Sequence, residues 1–185
     1  AVAAVAELVS QLTEQKQYHE LFEALKMQAR INQGLPPMPD SMEDQLDEQQ
    51  RNELEDGLID ACRQVGLLLI ESGQLREGWM YLRPVGDKEV VKEALAKVTL
   101  DDENRDEYVE VALHEGLDPQ RGFAEVLGYY GTCNAITTFE SLAPQCEPAD
   151  QQGITVQLVA HVHAELMATL KADIEQQGGS EPPES

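Results

Sequence analysis

The sequence predicts an all-α protein, and three observations carry that prediction. Apolar residues recur three and four positions apart through most segments of the chain. Nowhere do four or more residues alternate apolar and polar between turn signals, as a half-buried strand would require. Glycine and proline fall between the periodic segments, where helices end and restart. The 185 residues suffice for one domain or one compact array of repeats. The expected architecture is about seven helices, paired as hairpins and stacked as an irregular α-solenoid.

The elements follow in order. Val2, Val5, Leu8, Val9 and Leu12 mark one face of a first helix over 1–13. After the polar break Glu14-Gln15-Lys16-Gln17, a second face runs through Tyr18, Leu21, Phe22, Leu25 and Ala29, so the two read as a helical hairpin. Gly34 ends the second helix, and Leu35-Pro36-Pro37-Met38-Pro39 forces extended backbone. Residues 35–56 read as an acidic connector whose last part winds into the next helix. Leu58, Ile59, Cys62, Val65, Leu69 and Ile70 define a third helix, stopped at Ser72-Gly73. Leu75 to Val85 forms the next, with Gly78, Trp79, Leu82 and Val85 inward.

Asp87 opens a helix with Val90, Val91, Ala94, Leu95 and Val98 on one face. A short helix over 106–115 follows, through Tyr108, Val109, Ala112 and Leu113. Asp118-Pro119 restarts the chain, Asp as N-cap and Pro at the first helical position. Phe123, Val126, Leu127 and Tyr130 form that helix's apolar side. Beyond Gly131-Thr132, Cys133 to Leu142 is helical again, with Ala135, Ile136, Phe139 and Leu142 inward. Pro144 to Gly153 reads as a polar loop, and Ile154 to Glu175 as the last helix, with Val156, Leu158, Val159, Val162, Leu166 and Leu170 as its apolar residues. Residues 1–175 are expected to form a single helical domain and 176–185 a disordered C-terminal tail.

Gly66, Gly73 and Gly78, followed by Leu82 and Val85, make residues 58–91 resemble a tetratricopeptide repeat. Gly66 matches the small residue within the first helix of that repeat, Gly73 its turn, and Gly78 the small residue that brings the second helix close. The match spans about 30 residues; it lacks the usual aromatic of the first helix, and Pro84 stands where the family has helix. The resemblance implies stacked hairpins with a concave face that recognises a protein or peptide.

Charge narrows the partners. The formal net charge is −22, from 35 acidic and 13 basic residues. Nucleic acid is excluded as a partner, because a polyphosphate needs clustered Lys and Arg, and an anionic membrane is excluded on the same ground. Much of the acidity is local: residues 40–56 hold eight acids and one base, and residues 101–110 six acids and one base. A basic protein or peptide fits the charge. Three widely spaced cysteines indicate neither a disulfide framework nor a cysteine metal site, which places the chain in a reducing, cytoplasmic setting.

Chemistry has few candidates. His161 and Glu165 lie one helical turn apart, the spacing of a helical metal pair, but a third ligand such as His114 or His19 has to come from elsewhere, and His163 points to another side. In Tyr129-Tyr130-Gly131-Thr132-Cys133-Asn134 the tyrosines could wall a pocket, Thr132 and Asn134 orient a bound group, and Cys133 sit at a helix N-terminus that favours its thiolate. Asp101 to Asp106 lacks the glycine and the distal glutamate of a calcium loop and reads as a helix-starting turn. No cofactor motif is present. The leading expectation is a non-enzymatic interaction module with its binding residues at Tyr129, Tyr130, Thr132, Cys133 and Asn134. The alternatives are a helical enzyme, a metal-dependent hydrolase or isomerase through His161 and Glu165 or thiol chemistry at Cys133, and one domain of a larger protein.

Overall fold

Aspartate side chains cap the starts of three helices in the computed structural model, which describes residues 2–38 and 46–177. Asp47 accepts the Gln50 N–H at 2.8 Å while Gln50 reaches back to the Asp47 N–H, so the third helix begins in a capping box. Asp87 accepts from the Val90 N–H and Asp118 from the Arg121 N–H in the same way. In chain order the α-helices are α1 (Val2–Glu14), α2 (Tyr18–Asn32), α3 (Glu48–Glu71), α4 (Leu75–Leu82), α5 (Lys88–Leu95), α6 (Arg105–Val109), α7 (Pro119–Glu125), α8 (Thr132–Leu142) and α9 (Pro148–Gln176). The described residues thus form nine helices and no strand, where about seven were expected. Each of the nine overlaps a periodic segment of the sequence, so only the total of about seven was low; the acidic stretch before Leu58 joins α3 and lengthens it without adding a helix.

The chain gathers into two compact units, Ala1–Glu107 and Tyr108–Ser185, the division falling inside α6. In the first unit each of α1 to α4 packs on the next, and α5 on both α3 and α4. Leu12, Tyr18, Leu21, Leu25, Val65 and Leu69 form its core. Arg30, 8% exposed, ties the chain after α2 back to that helix: its Nε donates to the Pro36 carbonyl at 2.8 Å and its Nη2 to the Met38 carbonyl at 3.3 Å.

Glycine decides the crossing of α3 and α4. A Cβ on Gly66 would lie 2.5 Å from Leu82 Cγ and 2.9 Å from the Gly78 carbonyl; one on Gly78 would lie 2.6 Å from Ile70 Cγ1 and 2.8 Å from the Gly66 carbonyl. The two backbones touch at glycines, each occupying the space the other's side chain would need. The spacing that suggested close packing at these two positions therefore corresponds to a real contact. Pro84 ends α4 as a single tighter turn, Arg83–Val85.

In the second unit Phe123, Leu113, Val126, Ala135, Ala143 and Ile154 form the core. Here the chain departs from the expected pattern twice. The segments after α6 and α7 end in π turns, Glu110–His114 and Val126–Tyr130, each with one residue more per turn than an α-helix. A spacing of three and four cannot reveal such an insertion, so both looked like plain helix. The second departure is α9, which starts at Pro148 rather than Ile154. Pro148 occupies the first helical position, where its missing N–H costs nothing, so the expected loop over 144–153 shrinks to a turn around Cys146.

Within the acidic connector, residues 39–45 lie outside the described residues, as do residues 178–185 of the expected tail, while Gln176 still closes α9. Among the described residues no helix is long and apolar enough to cross a membrane.

Candidate functional site

Thr132 is the first residue of α8, and His161 and Glu165 stand one turn apart on α9. The structure brings the three together. The Thr132 hydroxyl donates to Glu165 Oε2 at 2.5 Å and faces His161 Nε2 at 2.9 Å; His161 Nε2 lies 3.5 Å from Glu165 Oε1. With the hydroxyl proton committed to the carboxylate, Nε2 donates to the threonine oxygen. That nitrogen already carries its proton and is not free to act as base for Thr132. Threonine and carboxylate also meet the same imidazole nitrogen, Nε2, whereas a catalytic relay places the carboxylate on the far nitrogen. What the arrangement does is fasten α8 to α9. Gly131 makes the approach possible: at φ 82° and ψ 173° it holds a backbone shape open essentially to glycine alone.

The other expected binding residues surround this clamp without closing on it. Tyr129 and Tyr130 meet edge to face, with ring centroids 5.1 Å apart, yet Tyr129 is 53% exposed. The Asn134 amide donates to the Tyr130 carbonyl at 2.7 Å, terminating the π turn. Cys133 is exposed, and the group that meets His161 is the Thr132 hydroxyl rather than its thiol. Of the five residues, Thr132 makes hydrogen bonds across to α9.

The remaining histidines have separate settings. His19 Nδ1 lies 2.9 Å from the Tyr81 hydroxyl and His19 Nε2 lies 3.1 Å from Glu77 Oε2, an exposed cluster between α2 and α4. Burial, then Cys62 and the neighbouring Glu23, Glu77 and Glu20, push the Tyr81 phenol above its ordinary value. This cluster went unforeseen because its members lie 58 and 62 residues apart. His114 and His163 are exposed. Among the described residues no group of three His, Cys, Asp or Glu side chains could hold a metal ion, so His161 and Glu165 gain no third ligand. The acidic turn is occupied by its own backbone. Asp101 accepts the N–H groups of Glu103 and Asn104, while the buried Asn104 accepts from Asp101 N–H and donates to the Thr99 carbonyl.

An apolar concavity lies elsewhere, beside α2 and α3. A cleft of about 320 Å³ is lined by Met27, Ala29, Pro37, Met38, Leu54 and Leu58, joined by Glu23, Lys26 and Arg30. Met38 is 61% and Leu58 41% exposed, an uncommon presentation for large apolar side chains inside a concave site. Lys26 is engaged by Glu23 at 2.9 Å and lies over the Phe22 ring. Sequence reasoning passed this site over, because a cleft is made by two helices and the signal along either one is only its apolar stripe. Compared with known proteins, the chain matches no family model, no curated protein and no solved structure.

Proposed function

We propose that this chain is a non-enzymatic interaction module that takes a protein or peptide segment into the cleft beside α2 and α3. The observation that carries the reading is the cleft itself: concave, apolar, and rimmed by charge. At about 320 Å³ it falls at the small end of ligand sites, about 300–1,000 Å³, which suits one or two apolar side chains of an extended or helical segment. The flanking part of α3 presents Glu48, Glu53, Glu55, Asp56 and Asp60 to solvent against Arg51 alone. An apolar anchor flanked by Lys or Arg is therefore the matching ligand, held by burial and steered by charge. The tetratricopeptide-like reading of the α3–α4 hairpin is part of the same proposal. The glycine contact of Gly66 and Gly78 supports it, since close hairpins are what such repeats stack. A reducing, cytoplasmic setting completes the proposal, in keeping with three free cysteines.

The test is a peptide-display selection on the immobilised full chain, repeated with Leu58→Glu. Selected sequences are expected to share an apolar residue between basic ones, with affinities on the order of 1–100 µM. Leu58→Glu should weaken them by about tenfold or more, equivalent to about 1.4 kcal/mol. Peptides that bind the variant equally well would sink the cleft as their site.

A further inference from the structure

The helix α9 carries two apolar faces, and only one is used. Ile154, fully buried, and Leu158 enter the core of the second unit, and His161 and Glu165 are clamped to Thr132. On the opposite side Val156 is 61% exposed, Val159 63%, Leu166 55% and Leu170 44%, with Val162 at 40% beside them. The order 156, 159, 163, 166, 170 steps by three and four in alternation, the spacing of a coiled-coil seam. His163, exposed, stands at its centre as the one polar member. The helix has 29 residues, giving it a length of about 43 Å at ~1.5 Å per residue.

We infer that this seam pairs with the same seam of a second copy of the chain, forming a two-fold symmetric dimer. Charge selects that occupant. The chain has a net charge of −22, yet residues 151–164 of α9 contain no Asp, Glu, Lys or Arg. Glu165 turns to the clamped side. This is the stretch where two copies of so acidic a chain can meet without opposing carboxylates, and it presents no charge for a basic partner to complement. Area agrees. The five apolar side chains leave on the order of 400 Å² uncovered, within the range of about 300–600 Å² in which the largest patch of a monomer often proves functional. With His163, Ala160 and Met167 alongside, two copies would bury about 1,200 Å², the lower bound of a stable specific interface. A weak dimer follows, dissociating in the micromolar range. The polar His163 sets register at some loss of strength, as single polar seam residues do. No residue of the α2–α3 cleft takes part, so the dimer stands or falls independently of the peptide reading.

Sedimentation equilibrium of the full chain from about 1 to 500 µM tests this, spanning the micromolar dissociation range expected of a small interface. The mass is expected to rise from 20.5 kDa toward twice that value. Because an apolar seam is not held by ion pairs, association should persist or strengthen in 1 M salt, where repulsion between the copies is screened. Leu166→Glu combined with Val159→Glu should abolish it at every concentration, with circular dichroism confirming that the exposed substitutions leave the helices intact. His163→Leu should tighten the dimer at least fivefold, an outcome that misfolding cannot imitate. A monomer at 500 µM would overturn the inference, whether the seam is bare or covered by another element. An association unchanged by the double substitution, or lost in high salt, would also overturn it.

Discussion

The α3–α4 and α8–α9 pairs hold two helices together by opposite means. The first pair presses backbone against backbone at Gly66 and Gly78, with the Leu82 and Ile70 side chains closed around the contact. The second is joined by the Ile154 side of α9 and by a polar clamp, Thr132 to His161 and Glu165. A steric joint is intolerant of added atoms and indifferent to salt and pH. A polar joint tolerates added volume and depends on donors and acceptors that water can replace. Where the molecule is rigid and where it is adjustable follows from this contrast.

Adding atoms to the steric joint should have the largest effect. Gly78→Val is expected to cost about 2–3 kcal/mol, because its Cβ would meet Ile70 and the Gly66 carbonyl of α3. Urea unfolding followed by the fluorescence of Trp79, the only tryptophan, reads this loss in the first unit. Next comes Gly131→Ala, about 2 kcal/mol, from forcing alanine into a shape reserved for glycine. Its loss should appear in the far-ultraviolet unfolding curve; an unchanged midpoint would mean the backbone at Gly131 relaxes freely. Thr132→Val should cost less, about 1 kcal/mol, since Glu165 is 56% exposed and water takes over its hydrogen bond. An equal or larger loss for Thr132→Val than for Gly131→Ala would show the clamp to be the stronger element of that joint.

The smallest effect concerns pH. Tyr81 holds its proton more tightly in the folded chain than an ordinary tyrosine, chiefly through burial. Its contribution is therefore complete below about pH 10, the unfolded value, and is lost as pH rises through the folded value. Tyr81→Phe should flatten the fall of the urea midpoint between about pH 9.5 and 11, a window set by the unfolded phenol. Cys62, likewise raised by burial, works in the same direction and will leave part of the slope in place.

Much of this architecture is legible in the residues. Gly34, Gly73 and Gly131 mark real helix ends, all at positive φ, and Asp118-Pro119 starts α7 as an N-cap and first-turn proline should. Pro148 misleads because proline breaks a helix interior and begins a helix equally well, and the sequence does not say which applies. The π turns are hidden because one inserted residue leaves the local apolar spacing nearly unchanged. The clamp was visible only in pieces. Thr132, His161 and Glu165 each stood out, but a separation of 29 to 33 residues has no periodic signature. The bare side of α9 shows a further limit. Amphipathic spacing announces an apolar face and is silent on whether anything covers it.

The reciprocal fit of Gly66 and Gly78 constrains how this hairpin can change over time. Either position alone refuses a side chain, because the other glycine's carbonyl, together with Leu82 or Ile70, occupies the space. Once one substitution has forced α3 and α4 apart, the second meets far less resistance, so the two changes together should cost much less than their separate effects added. Each glycine is thus kept by its counterpart. The pair is an epistatic unit, held by the closeness of two chains at one point, and single-step exploration of either residue is closed while both remain.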